Sequence, residues 1–305
     1  MNGAVAEEKV VDGDVARQTV ADGVALRAES PLSWLALGIA AAAALGLYAP
    51  VVISMAADWS EFPSLSHGFA IPLISAYLLW HRRRLLAEAP VEGSIVGLPL
   101  IILALGMLVI GSLGGEPFVA RLSLPLALLG TVLFLDGTRV ARHAWVPIAY
   151  LAFMIPLPYL TLSALTYRSQ LFDAGVTAAA LGWLGVPVLR DGVMLHLANM
   201  TLEVAADCSS VPAIAALLAL GGAYAQMQPR PTWIRVALTL SAAPLGLLSN
   251  IVRLIVTSLS AYYLGPVALN NVIHKFSGTS VFLATVVLLV VLDALLTRIW
   301  RRASS

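Results

Sequence analysis

Long apolar stretches alternate with short polar segments along most of the chain. A helix needs about 20 mostly apolar residues to cross the hydrocarbon core of a bilayer. The pattern therefore predicts an all-α polytopic membrane protein with about eight transmembrane helices. The stretches cover residues 33–56, 67–81, 95–113, 118–136, 143–158, 208–227, 232–264 and 278–300.

The segment 160–186 departs from this pattern, because it mixes polar residues such as Arg168 and Asp173 with Ala and Leu. A helix of mixed polarity is typical of the membrane surface. The segment therefore predicts an interfacial helix, with a ninth span as the alternative.

The segment 187–207 has a different character, since apolar residues alternate over short distances between Gly192 and Asn199. Alternation bounded by turn residues is typical of short strands. We expect a small extracytoplasmic hairpin that leads into the sixth span, or else an irregular loop.

The first 30 residues are polar and contain no apolar run. They lack the basic start and short hydrophobic core of a cleaved signal peptide. The sequence predicts a disordered cytoplasmic tail over 1–30. Residues 31–305 show no internal repeat and no linker, so they are expected to form a single multi-span domain.

The composition supports a membrane environment. Of the 305 residues, 59% are hydrophobic and 11% are charged, whereas soluble domains carry roughly 25% charged residues. Membrane lipids are therefore the expected surroundings. The net charge of +1 gives no reason to expect a nucleic-acid partner.

The basic residues set the orientation, because Lys and Arg are enriched in cytoplasmic loops. Assigning the four main clusters to the cytoplasm is consistent with eight spans and with both termini inside. The expected location is the bacterial inner membrane, with the remaining loops facing the periplasm. The clusters are Arg82–Arg84, Arg139 with Arg142, Arg230 with Arg235, and Arg298 with Arg301 and Arg302.

Three reactive side chains are expected at the periplasmic surface. Cys208 lies where the sixth span begins, and His274 precedes the eighth span. Arg253 lies about 30 Å along the seventh span from its inner end. Arginine could instead extend towards the outer headgroups, and His274 could belong to an ordinary polar loop. Three such groups on one face favour a site.

These groups suit acyl transfer through a thioester. Cys208, which is the sole cysteine, can act as the nucleophile, and a helix N-terminus favours its thiolate. His274 can take the thiol proton and return it to a leaving amine. Arg253 remains charged, so it suits an oxyanion donor or carboxylate clamp.

Other polar residues are candidates for supporting or substrate-binding roles. His67 and Asn250 share the expected face, and Ser209 and Asp207 flank the cysteine. Alternatively, His67 only starts a helix, and Asp207 is a solvated carboxylate that opposes thiolate formation unless it faces a cation.

Two further inferences concern residues outside the site. Asp293, near the cytoplasmic end of the last span, is expected to pair with Arg298. The sequence has no phosphate-binding glycine loop and no cluster with metal-ligand spacing, so we expect neither a cofactor nor a metal.

Several motifs resemble the exosortase/archaeosortase family of membrane transpeptidases. They spread over about 240 positions, which is nearly everything after the tail. The matching segments are SHGFAIPLISAYLLWHRRR at 66–84, FMIPLPYL at 153–160, LEVAADCSS at 202–210, SNIVRL at 249–254 and HKFSG at 274–278.

The resemblance implies a catalytic role for three residues. The catalytic cysteine of the family falls on Cys208, the arginine of its N-x-x-R motif on Arg253, and its histidine on His274. The family commonly has Ser-Gly after the cysteine, whereas this chain has Ser209 and Ser210. If the glycine allows a positive φ, Ser210 makes that conformation harder to adopt.

The resemblance also implies the partners. They would be exported proteins whose C-terminal sorting signal consists of a short motif (often Pro-Glu-Pro, as in PEP-CTERM proteins), a transmembrane helix and a basic cluster. The cysteine protease or transpeptidase would pass the acyl group to an acceptor that the sequence does not identify. Such enzymes are often associated with exopolysaccharide systems.

Two other functional classes remain open at this point. A transporter for polysaccharide export would line a path with polar residues, but these usually lie near the bilayer midplane. A non-catalytic assembly component derived from the enzyme fold would not need all three reactive groups.

Overall fold

The computed structural model describes residues 31–228, 230–265 and 271–303, and the side chains of 46–62, 64–228, 230–265 and 280–302. The predicted tail, 1–30, lies outside the described residues. The chain divides into two compact units, 1–53 and 54–305. The proposed domain start at residue 31 stays a prediction.

Helices make up most of the described part of the chain. Short 3-10 helices cover Pro63–Phe69, Leu151–Met154 and Ala206–Cys208. The α-helices are α1 (Pro31–Glu61), α2 (Ala70–His81), α3 (Arg83–Glu88), α4 (Gly97–Leu113), α5 (Pro117–Leu135), α6 (Gly137–Tyr150), α7 (Tyr159–Trp183), α8 (Ser210–Met227), α9 (Thr232–Leu264) and α10 (Asn271–Ala303).

Four helical segments in the described part are long and apolar enough to cross a membrane. They are α5, α8, α9 and residues 280–302 of α10. Residues 137–154 and α7 count as a fifth span if they are taken together, although they are bent by 74°. The prediction of a multi-pass helical protein is confirmed, while the number eight stays a prediction.

Some predicted spans differ from the helices observed. The predicted span 67–81 is a 3-10 helix followed by α2, whose 12 residues cover only about 18 Å. The predicted span 143–158 is broken between α6 and α7. Pro156 and Pro158 lie at that break, and proline cannot donate the backbone hydrogen bonds that would continue a helix.

The segment 187–207 forms a small antiparallel sheet of three strands in the order β1-β2-β3. The strands are β1 (Val188–Asp191), β2 (Met194–Leu197) and β3 (Thr201–Glu203). Val188 pairs with Leu197, and Met194 pairs with Glu203. Gly192 makes the first turn with a φ of 59°, a conformation that glycine adopts readily.

The sheet packs on α7 and α9 through one face. Leu195 of β2 lies in a buried cluster with Ala174 of α7 and Leu254 of α9. Asn199, in the turn before β3, donates hydrogen bonds to the carbonyls of Ala261 and Tyr262 near the C-terminal end of α9. The sheet is therefore fixed at one end of these helices.

Helices α8, α9 and α10 share the main hydrophobic cluster of this region. It includes Leu217 of α8, Leu238 and Ala242 of α9, and Leu289 of α10. Small residues let α8 and α9 approach closely, because a Cβ on Gly246 would lie 2.9 Å from the Cα of Ile214.

A buried ion pair lies at the opposite end of these helices from the sheet. Asp293 of α10 accepts hydrogen bonds from the guanidinium of Arg230, at 3.2 and 3.4 Å, and from the hydroxyl of Tyr224. The expected pairing of Asp293 with Arg298 is wrong. Arg230 precedes α9, so packing between helices, and not spacing along α10, selects the partner.

Candidate active site

Cys208 ends the 3-10 helix that follows β3, and α8 begins two residues later at Ser210. The cysteine is partly exposed and packs beside the cluster that contains Leu254 of α9. The thiol-bearing residue is therefore at the sheet end of the helices. The Asp293 ion pair lies beyond the other end of α8, whose 18 residues span about 27 Å.

Asn250 contacts the cysteine backbone directly. Its side-chain nitrogen donates to the carbonyl of Cys208 at 2.9 Å and to Oδ2 of Asp173 at 3.2 Å. The residue is buried, with 2% exposure. Gly246 lies one turn earlier on α9, and its close approach to α8 brings Asn250 within reach. The structure thus brings two of the predicted site residues, Asn250 and Cys208, together.

Asp173 of α7 is a site residue that the sequence interpretation missed. It is fully buried and binds Ser210 twice, through the amide to Oδ2 at 2.8 Å and the hydroxyl to Oδ1 at 2.6 Å. The hydroxyl of Ser169 donates to Oδ2 at 3.1 Å. With the bond from Asn250, the carboxylate accepts four hydrogen bonds.

Ser210 adopts an ordinary helical conformation as the first residue of α8. Among the described residues, only glycines have a positive φ. Serine therefore requires no backbone strain at this position. Its hydroxyl instead adds the shortest hydrogen bond that Asp173 accepts.

The polar residues of 160–186 face in two directions. Tyr167 and Arg168 are exposed, whereas Gln170 and Asp173 are buried. Gln170 donates to the carbonyl of Val204, just after β3, at 2.6 Å. The signal for this face in the sequence is the acidic Asp173 directly before a run of small and apolar residues. Composition does not show which face of a helix is buried, so the sequence predicts only a helix of mixed polarity.

Arg253 lies three residues after Asn250 and is partly buried. Its Nη2 atom is buried and has no hydrogen-bond partner among the described side chains. The hydroxyl of Ser209, a buried residue directly after the cysteine, is likewise unpaired within the described part of the chain. Unpaired buried donors are uncommon and call for an explanation.

His274 lies in the first turn of α10, and its side chain is outside the described residues. The position of the His274 backbone along α10 follows from the residue count. It precedes Asp293 by 19 residues, or about 28 Å, which places it at the sheet end of α10. Whether its imidazole reaches Cys208 stays a prediction.

The two remaining candidates, His67 and Asp207, differ in their exposure. His67 is partly buried in the 3-10 helix Pro63–Phe69, which packs against α8. Burial lowers the pKa of His67, and a hydrogen bond with the backbone of Ser64 partly offsets this effect. Asp207 is exposed. Within the described residues, no three His, Cys, Asp or Glu side chains converge as metal ligands.

Together, these features describe a polytopic helical membrane protein with a lone cysteine held at one end of its helices. A family profile described as transmembrane exosortase matches residues 59–291, a range that contains Cys208, Arg253 and His274. The chain belongs to the transmembrane exosortase family. Comparisons with curated proteins and with solved structures gave no match.

Proposed function

We propose that the protein is a membrane cysteine transpeptidase that cleaves C-terminal sorting signals of exported proteins. The observation that carries this proposal is the arrangement at the sheet end of the helices. There, Asn250 holds the Cys208 carbonyl, and the buried Nη2 atom of Arg253, one turn along α9, has no partner among the described residues. A nucleophile with a fixed backbone, and a cationic donor without a described acceptor one turn after the residue that fixes it, suit attack on a carbonyl group.

The proposed reaction has two steps. The sulfur of Cys208, its proton taken by His274, attacks the scissile carbonyl carbon, and Arg253 stabilises the oxyanion. When the C–N bond breaks, His274 returns the proton to the leaving amine and a thioester remains on Cys208. An acceptor nucleophile then attacks the thioester carbonyl, and the thiolate leaves and regains a proton.

The unpaired donors fit this chemistry because a substrate would supply their acceptors. An oxyanion or a substrate carboxylate would satisfy Nη2 of Arg253, and a backbone carbonyl would satisfy the hydroxyl of Ser209. We propose no cofactor.

The proposed substrates are exported proteins with the C-terminal arrangement of PEP-CTERM signals: short motif, apolar helix and basic cluster. The site would face the periplasm from the bacterial inner membrane, next to the point where the motif leaves the bilayer. A link to exopolysaccharide systems is part of this proposal.

The first test is processing of such a reporter in membranes that contain the protein. Cys208→Ala should abolish cleavage while the protein remains inserted and abundant, and Cys208→Ser should be nearly as inactive because a hydroxyl ionises far less readily. Substantial cleavage by the Cys208→Ala variant would overturn the proposal.

The second test concerns orientation and uses the fact that Cys208 is the only cysteine. A membrane-impermeant maleimide should label it in spheroplasts but not in sealed inverted vesicles. A matched control carries Cys208→Ala with Glu88→Cys, an exposed position on α3, and should give the reverse pattern. Labelling of Cys208 only in inverted vesicles contradicts a periplasmic site.

A further inference from the structure

We propose that Asp173 is the positioning residue of this site, and that its buried carboxylate fixes the orientation of the cysteine. This inference rests on the proposed function in one respect: the proposed function supplies the reaction of the Cys208 thiol. The hydrogen bonds that support it do not depend on the substrate.

The hydrogen bonds of Asp173 fit an ionised carboxylate. Its two oxygens accept from the amide and hydroxyl of Ser210, the amide nitrogen of Asn250 and the hydroxyl of Ser169. An ionised carboxylate only accepts hydrogen bonds, whereas a protonated one must also donate. With four donors directed at it, the ionised form satisfies every group.

These bonds hold the backbone at Cys208 and directly after it. After the cysteine, Asp173 fixes the amide of Ser210. At the cysteine itself, Asn250 bridges Asp173 Oδ2 and the carbonyl of Cys208. One carboxylate from α7 therefore ties the start of α8 and the middle of α9 to the backbone that carries the sulfur. Misplacing a reacting group by about 1 Å can cost about 10²-fold in rate.

The Asp173 carboxylate also bears on the positive helix N-terminus that the sequence suggested beside Cys208. The first amide of α8, which would contribute to the positive end of that helix, is bound to the negative charge of Asp173. A negative charge at a helix N-terminus offsets the helix dipole. Among the described side chains no cation pairs with Asp173. The N-terminus of α8 beside Cys208 is therefore already bound by a carboxylate.

This arrangement predicts opposite effects on two measurable properties. Asp173→Asn removes a negative charge, so the midpoint of the pH dependence of Cys208 alkylation by iodoacetamide should shift to lower pH. The side-chain amide of asparagine also places an NH2 donor where one of the two carboxylate oxygens accepted, opposite either the hydroxyl of Ser210 or the three donors on Oδ2. Reporter processing should therefore fall by about 10²-fold. A merely structural role would not move the alkylation midpoint.

The experiment compares Asp173→Asn with Asp191→Asn, an exposed aspartate on β1, which should match the wild type in both measurements. Ser210→Ala removes one of the four hydrogen bonds and should have a smaller effect on processing than Asp173→Asn. Because both changes act on the hydrogen bond between Ser210 and residue 173, the double variant should be little worse than Asp173→Asn alone.

Three results would overturn the inference. One is normal processing with an unchanged alkylation midpoint in Asp173→Asn. Another is an Asp173→Asn variant in which processing falls only in proportion to the amount of folded protein while the alkylation midpoint stays unchanged. A third is full additivity with Ser210→Ala. Since alkylation needs no substrate, it still tests Asp173 if Cys208→Ala retains cleavage and the transpeptidase proposal fails.

Discussion

Two buried aspartates lie at opposite ends of the same group of helices, and they are satisfied in different ways. Asp293 accepts from the guanidinium of Arg230, so its charge is balanced by a cation. Asp173 accepts only from two serines, an asparagine and a backbone amide. Both carboxylates have hydrogen bonds, but only one has a described counter-charge.

The presence or absence of a counter-charge suggests different roles for the two ends: a structural role at Asp293 and a functional role near Cys208. Buried charges are costly, and most are paired. Asp293 follows this rule, and its hydrogen bonds connect α8, the segment that precedes α9, and α10. The cysteine end leaves the charge of Asp173 without a described cation. A buried arginine nitrogen without a described acceptor occurs at both ends, as Nη2 of Arg253 and as Nε of Arg235, so the unbalanced carboxylate is what distinguishes the cysteine end. A buried ionisable side chain without an oppositely charged partner in a membrane protein suggests a functional site.

The largest effect is expected from matched arginine substitutions at the two ends. Arg253→Lys should reduce reporter processing by about 10²–10³-fold, because an ammonium cannot reproduce the planar guanidinium donor. Arg230→Lys keeps a cation beside Asp293 and should process normally per folded molecule. Near-normal turnover of Arg253→Lys would instead favour an arginine that only reaches the outer headgroups.

At the ion pair, a substitution should lower the stability of the protein and leave processing unchanged. Asp293→Asn leaves the partly exposed Arg230 without its counter-charge, so the free energy of unfolding should fall by about 2 kcal/mol, less than for a fully buried pair. Processing per folded molecule should not change. Thermal unfolding in detergent, together with quantified processing, measures both. A loss of turnover without a loss of stability would assign the Asp293 end a role in catalysis.

A smaller effect should come from the helix contact that positions Asn250. In Gly246→Ala the added Cβ would lie 2.9 Å from the Cα of Ile214, so α8 and α9 must separate. Such overpacking costs about 1–3 kcal/mol and should also lower processing. Gly222→Ala is the control, since its Cβ would meet Thr239 at an ordinary 3.7 Å. Equal behaviour of the two variants would contradict the role of this contact.

The sequence predicted the parts of the structure that depend on local patterns. Apolar runs marked α5, α8 and α9, and the short alternation in 187–207 marked where the strands lie. Cys208 and Asn250 could be selected because the residue types and motifs around them are distinctive. These features need only neighbouring residues along the chain.

The parts that escaped prediction depend on packing between distant segments. Asp173 and Arg168 lie in the same helix, yet only tertiary structure shows that one is buried and the other exposed. Likewise, Arg230 pairs with Asp293 from 63 positions away along the chain. A single sequence does not reveal such pairs, so it suggested Arg298 for Asp293. The interfacial helix over 160–186, with a ninth span as its alternative, stays a prediction.

The most direct test of the account is whether processing passes through a thioester on Cys208. Hydroxylamine attacks thioesters, so processing in its presence should leave a hydroxamate at the new C-terminus of the reporter, which mass spectrometry detects. Wild-type protein should give this hydroxamate in proportion to hydroxylamine, and Cys208→Ala should give none. A carboxylate product alone at every hydroxylamine concentration, or a hydroxamate formed by Cys208→Ala, would contradict the proposed mechanism.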